Sequence, residues 1–203
     1  MKISLPEEFA SRPEVQKYVR NKSFYTSVIN WIIDWRYKSK TTNLVKWINT
    51  FLYDDDLKEI AKQFKGTNDK KIVQIQRYVN DNIFYVPDSK RWEVAEYWQT
   101  PQETLAFNEG DCEDGALLIY ALAHHADIPD YQLRIACGKT LVGGHAYLVY
   151  QSNEDSLEYV IDWCAWTDLR YIPLKEYYVQ LKNYYYGQRE WFSFNATEGY
   201  KLR

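Results

Sequence analysis

Apolar residues recur along this chain at two spacings, and the change between them divides it. Up to about residue 126 they fall three or four apart, the helical period; beyond it they alternate, the strand period. Residues 13–37 read as a helix starting at Ser11-Arg12-Pro13-Glu14, with Val15, Val19, Ile29, Ile33 and Trp35 on its apolar faces. Thr41-Thr42-Asn43 is expected to cap a second helix through Leu52, with Leu44, Trp47, Ile48 and Leu52 at helical spacing. Leu57 to Phe64 is a third, short helix, and Gly66-Thr67-Asn68-Asp69 punctuates the chain after it. Over 69–83, Ile72, Ile75, Val79 and Ile83 predict an amphipathic helix with one buried stripe. Residues 84–100 read as a loop. Thr100-Pro101-Gln102-Glu103 has the form of a helix start, and that helix should end near Asn108 to Gly110. The next helix runs from Cys112 to about Ala126. Three strands follow, YQLRIACG (131–138), HAYLVYQ (145–151) and LEYVIDW (157–163), the last two joined as a hairpin through Ser152-Asn153-Glu154-Asp155. Two further aromatic strand candidates lie near 183–187 and 190–195. Helices followed by mostly antiparallel strands predict an α+β fold. The expected organisation is a helical N-terminal extension, 1–66, and a second unit, 67–203.

Composition narrows the partners. The 203 residues are 46% apolar and 26% charged, a globular balance, with a net charge of −3. Nothing in that charge calls for nucleic acid or an anionic membrane. Lys38/Lys40 and Lys70/Lys71 are short clusters suited to solvated faces. No apolar run reaches spanning length; the richest, VINWIIDW at 28–35, is interrupted. The first residues, MKISLPEEFASRPEVQ, carry acids and prolines where a signal peptide would carry an apolar block. The expected location is the cytoplasm, with a virion-associated, phage-encoded setting as the alternative. Most of the 35 aromatics (8 Trp, 19 Tyr, 8 Phe) read as core or half-buried surface; their number leaves room for an aromatic-lined cleft or partner face, and the rich flanks at 24–53 and 177–194 would suit docking of a protein partner.

Three cysteines, Cys112, Cys137 and Cys164, form neither a disulfide framework nor a zinc pattern. Cys137 and Cys164 read as buried small hydrophobes. Cys112 stands apart, between acids in NEGDCEDGALL (108–118). Asp111 at the N-cap and Asp114 three residues on approximate a capping box, which puts Cys112 at the first helical position. Unpaired backbone N–H groups and the positive helix end both favour thiolate there, and the same N–H groups could hold an oxyanion.

A thiol nucleophile needs an imidazole base, and the base needs an orienting carboxylate. His124 and His125 lie three turns along the cysteine's own helix, out of reach. His145 follows Val142-Gly143-Gly144 and opens a strand; Asp162 closes the next one. A hairpin of 145–151 with 157–162 makes them cross-strand neighbours. A carboxylate in an aromatic and aliphatic run also needs a partner.

These residues resemble the transglutaminase-like cysteine peptidase superfamily, with its papain-like fold. The resemblance rests on Asp69-Lys70-Lys71, Tyr78-Val79, Ile83-Phe84-Tyr85, Thr100-Pro101-Gln102-Glu103-Thr104-Leu105 and Gly110-Asp111-Cys112-Glu113-Asp114. It continues through Ile128-Pro129, Arg134, Gly138, Gly144-His145-Ala146 and Ile161-Asp162. It covers roughly residues 67–165. It implies a nucleophile helix packed on an antiparallel sheet, and a catalytic triad of Cys112, His145 and Asp162. An upstream aromatic or polar residue often serves the oxyanion in such enzymes, and Trp98 and Gln102 both qualify. No cofactor is expected otherwise, but some bacterial members with a similar Asp-Cys-Glu segment bind calcium through the flanking acids, here Asp111 and Glu113. The competing readings are capping for Asp111 and solvent exposure for Glu113. The implied function is thiol-dependent acyl transfer, with hydrolysis of peptide or isopeptide amides in a protein or peptide substrate preferred. Cross-linking transamidation and a non-catalytic module that has kept the fold are the alternatives.

Overall fold

A computed structural model describes residues 40–94, 96–140, 143–164, 172–173 and 189–201. The helix expected over 13–37 and the strand expected near 183–187 lie outside the described residues.

Local signals start most of the helices. Helix α1 (Lys40–Ile48) begins ahead of the anticipated Thr41-Thr42-Asn43 cap and gives way to a turn before Leu52. Asp54 caps α2 (Asp55–Ala61), its carboxylate accepting the N–H groups of Asp56 and Leu57. Thr67 caps α3 (Asn68–Asn82), which buries Ile72, Ile75 and Val79, while Ile83 is buried at its C-cap. The stretch expected as a loop holds two short elements, strand β1 (Phe84–Tyr85) and helix α4 (Asp88–Arg91). Helix α5 (Pro101–Phe107) opens with a full capping box between Thr100 and Glu103. It closes on Asn108, whose φ of 52° is the left-handed turn that ends a helix. Strand β2 (Glu109–Gly110) runs parallel to β1 and delivers the chain to α6 (Cys112–His125).

The sheet that faces α6 has six antiparallel strands in the order β6-β5-β4-β3-β7-β8. These are β3 (Leu133–Thr140), β4 (Gly143–Gln151), β5 (Glu158–Ile161), β6 (Ile172–Pro173), β7 (Arg189–Phe194) and β8 (Gly199–Lys201). The β4–β5 hairpin closes as expected, with Ser152 N–H donating to Leu157 O. Strands β6 and β8 are additions to the expected set. Two or three residues carry no readable alternation, so pairing with a neighbour, not local pattern, makes them strands.

Helix α6 is buried on every side from Glu113 to Ala123, the signature of a central helix. Strands β3 and β4 cover one side, and α2, α3 and α5 pack around the rest. One apolar cluster joins Leu44, Ile48 and Leu57 of the first helices to Leu117, Ile119, Ile135 and Leu148 of the helix–sheet pair. Gly115 lets a large ring approach α6: a Cβ there would lie 2.0 Å from Trp163 Nε1. That close approach brings the chain after β5 onto the first turn of α6.

Candidate active site

Cys112 is the first residue of α6, with Asp111 at the extended N-cap position. Asp114 Oδ2 accepts the Asp111 N–H at 3.0 Å, and Asp114 Oδ1 accepts the Gln99 N–H at 2.7 Å. Gln99 Nε2 adds a bond to Asp114 Oδ2 at 2.6 Å and one to Glu109 O at 3.1 Å. The buried Asp111 carboxylate accepts the Asp88 N–H at 3.3 Å through Oδ2. Asp88 Oδ2 in turn accepts the Tyr97 N–H. The helix start is thus tied by carboxylates to the 86–99 segment.

The thiol sits on an acidic floor. Cys112 Sγ donates to Glu113 Oε2 at 3.1 Å, and the Ala146 N–H lies near enough to the sulfur to pull its pKa down a little. Glu113 is only 3% exposed, which corrects the reading of it as a solvated acid. Asp88, Glu96, Asp111 and Asp114 complete a group of five carboxyls, and all five have their pKa raised, first by burial. Asp88 is pushed up to about 9, with the charges of Asp111 and Asp114 adding to burial. Glu113 lies beside both Glu96 and Asp111; burial raises its pKa, and the charges of these acids add to the rise. Burial also drives the Cys112 thiol well up, and the Asp111 and Cys164 charges reinforce it. The expectation that the helix end favours thiolate is therefore reversed in this state. The dipole acts at the helix start, but burial and uncompensated acids outweigh it.

On the sheet side, His145 Nε2 meets Asp162 Oδ2 at 2.6 Å, with the Asp162 side chain fully buried. Paired register ends at Leu148↔Ile161, and its next step would set Asp162 against Tyr147. The pair is therefore diagonal across the hairpin rather than directly opposed, which a histidine is long enough to span. Directly across from His145 on β3 is Gly138. Burial pulls the His145 pKa down, but the Asp162 charge, their hydrogen bond and Asp111 outweigh it, and the net shift is upward. Asp162 Oδ1 accepts both the N–H (3.3 Å) and the S–H (3.5 Å) of Cys164, and Gln76 Nε2 donates to the Asp162 carbonyl at 3.3 Å. Cys164 is thus a half-buried partner of Asp162, not the inert core residue expected; Cys137 is buried among apolar neighbours.

Folding brings Asp162 to His145, and it brings Cys112 to the peptide that follows His145. Trp163 links the two halves: its Nε1 donates to Cys112 O at 3.4 Å, and Tyr85 lies 6.0 Å from its ring. Trp98 and Gln102 are placed in the helical layer. Trp98 packs between Trp47 and Phe194, and Gln102 Nε2 donates to Phe51 O at 2.9 Å. Residues around the first turn of α6 to which the sequence reading gave no part in the site are Tyr85, Asp88, Glu96, Gln99, Trp163 and Cys164. Val86-Pro87-Asp88 and Trp163-Cys164, directly beside an already flagged Asp162, were the available signals.

The acidic floor has the donors of a hard-cation site. Asp111 Oδ1 and Glu113 Oε1 are buried with no hydrogen-bond partner. One oxygen each from Asp88, Asp111 and Asp114 lie within 4.8 Å of one another, as do one each from Asp88, Glu96 and Glu113. Calcium takes six to eight oxygens at about 2.3–2.6 Å, so oxygens on opposite sides of its shell are about 5 Å apart. The residues present fit such an ion.

Comparison with known proteins identifies the family and the fold. A family model described as bacterial transglutaminase-like cysteine proteinase, BTLCP, matches residues 54–198. The UPF0252 protein PH1321 of Pyrococcus horikoshii is 27% identical over 156 residues, 76% of this chain and 43% of its own length. The chain thus spans less than half of that relative. Legionella pneumophila LapG superposes with a TM-score of 0.54 at 18% identity, over 80% of this chain and 87% of LapG. Its calcium-bound structure gives 0.55 at 19% identity, over 78% and 87%. These likenesses establish the fold. Among the described residues, no helix is long and apolar enough to cross a membrane.

Proposed function

The chain belongs to the bacterial transglutaminase-like cysteine proteinases, and from that premise we propose that it is a thiol-dependent acyl-transfer enzyme hydrolysing peptide or isopeptide amides. One observation carries the reading: His145 forms a 2.6 Å pair with Asp162, and the next N–H along the His145 strand, that of Ala146, lies near enough to the Cys112 sulfur to lower its pKa. His145, held by Asp162, takes the Cys112 proton as the sulfur attacks the amide carbonyl. Backbone N–H groups of the first turn of α6 hold the oxyanion. The C–N bond breaks as His145 returns the proton to the leaving amine. Water, activated by the same imidazole, then adds to the thioester, the C–S bond breaks, and the thiol is restored.

The acids set a condition on this cycle. With the thiol bonded to Glu113 and its pKa raised, the sulfur is held protonated. Asp111 and Glu113, with Asp88 and Asp114, would hold a calcium ion, as their unpartnered oxygens and spacing allow. Calcium, when bound, supplies positive charge that offsets theirs. Glu113 so engaged no longer accepts the thiol proton, and His145 becomes the base it meets. The solved structures similar to this chain include LapG described as calcium-bound and as EGTA-treated.

The test is cleavage of a denatured casein and of a mixed peptide library, with calcium and with chelator, in the presence of a labelled primary amine. The expected result is cleavage abolished by Cys112→Ser and His145→Ala. Amine incorporation without cleavage would replace hydrolysis by transamidation. Wild type and Cys112→Ser behaving alike on every substrate would favour the non-catalytic module.

A further inference from the structure

Beside the hard carboxylate floor lies a second, softer set of donors. Cys164 Sγ, a ring nitrogen of His145 and a carboxylate oxygen of Asp162 all lie within 4.8 Å of one another. Two contacts within the set are recorded individually: Cys164 Sγ to Asp162 Oδ1 at 3.5 Å and His145 Nε2 to Asp162 Oδ2 at 2.6 Å. Zinc holds sulfur at about 2.3 Å and nitrogen or oxygen at about 2.0–2.2 Å, so donors around its tetrahedron stand roughly 3.3–3.8 Å apart. The set needs adjustments on the order of 1 Å to match. Its thiolate and imidazole suit zinc or cadmium, whereas the all-carboxylate floor suits calcium.

We propose that Cys164, His145 and Asp162 form a binding site for a thiophilic divalent cation of the zinc class. Occupancy silences the enzyme by engaging the imidazole and carboxylate that Cys112 needs, and this second clause rests on the function proposed above. Binding is dative: the Cys164 thiol proton, and any proton on the coordinating imidazole nitrogen, pass to solvent, and nothing is oxidised or reduced.

The experiment is a cadmium titration of the full chain followed by thiolate-to-metal charge-transfer absorption, with excess calcium present. Cys112→Ser provides the background, because it separates the site from the nucleophile. The expected result is a saturable band at one cadmium per chain in Cys112→Ser. The band is lost, or the affinity falls at least tenfold, on adding Cys164→Ser. His145→Ala in the same background gives an independent loss of affinity, and near-ultraviolet circular dichroism verifies that each variant is folded. Three results overturn the site: no band in Cys112→Ser, an unchanged band in folded Cys112→Ser/Cys164→Ser, or a band that excess calcium removes. Zinc inhibition of wild-type cleavage, reversed by a chelator and weakened in Cys164→Ser, tests the regulatory clause separately. If no substrate is cleaved at all, the functional reading fails while the spectroscopic result still decides the site.

Discussion

Gly115→Ala is the substitution whose effect follows most directly from the geometry. A Cβ at Gly115 would lie 2.0, 2.2 and 2.4 Å from Trp163 Nε1, Cε2 and Cδ1. Ordinary van der Waals contact begins near 3.4 Å, so the indole must retreat by more than 1 Å. Trp163 is buried and rigid, and it cannot swing away as a flexible side chain would. In a helix interior, alanine gains about 1 kcal/mol over glycine from backbone entropy. Overpacking typically costs about 1–3 kcal/mol, and an overlap this deep belongs at the upper end. The net expectation is a destabilisation of about 2 kcal/mol, a factor of roughly 30 in the folded-to-unfolded ratio. Urea unfolding followed by far-ultraviolet circular dichroism measures it. Trp163→Leu removes the clashing atoms, so Gly115→Ala in that background should cost nothing or stabilise slightly, a coupling that a double-mutant cycle reads directly. The displaced indole also moves the segment carrying Asp162 and Cys164, so cleavage should fall more than stability alone explains. If Gly115→Ala is as stable as wild type, or if the Trp163→Leu background leaves its cost unchanged, the packing of Trp163 onto α6 is wrong.

Asp162→Asn keeps the shape of the His145 partner but removes its charge, so kcat should fall by about 10²–10⁴ with smaller change in KM, read from peptide-cleavage kinetics. Asp88 has a pKa of about 9 against an ordinary 3.8, so between those values the folded chain binds more protons than the unfolded one. Stability without divalent cations should therefore fall as pH rises through that window, by up to about 1.4 kcal/mol per pH unit for each extra proton held. Asp88→Asn should flatten the fall in urea titrations at several pH values. Calcium at about 100 times its dissociation constant should stabilise the chain by about 2.7 kcal/mol. Differential scanning calorimetry should show that gain lost in Asp111→Asn/Glu113→Gln.

Much of this site was legible in the sequence because its parts have local signatures. A cap, a glycine turn and a helical apolar run place Cys112 at a helix start. Alternation places His145 and Asp162 on adjoining strands, and their ordered spacing carries the family resemblance. The diagonal offset between His145 and Asp162 was not legible, since it depends on where the β4–β5 ladder stops. The ionisation of Cys112 came out reversed for a similar reason. The helix dipole is a local effect that sequence reveals, whereas the opposing burial is set by the tertiary fold, which also brings the charge of the distant Cys164 to add to that of Asp111. Cys164 was misjudged because an isolated cysteine after an aromatic residue looks like core; only the turn back onto Asp162 Oδ1 shows otherwise.

The central claim is that Cys112 carries the acyl group under the control of His145. Intact-protein and peptide-mapping mass spectrometry after rapid quench with an activated peptide ester, in calcium, tests it most directly. The expected result is a single acyl adduct on Cys112, absent in Cys112→Ser and formed far more slowly in His145→Ala. Equal, slow acylation of Cys112, Cys137 and Cys164 in the folded protein, indifferent to His145→Ala, would contradict it.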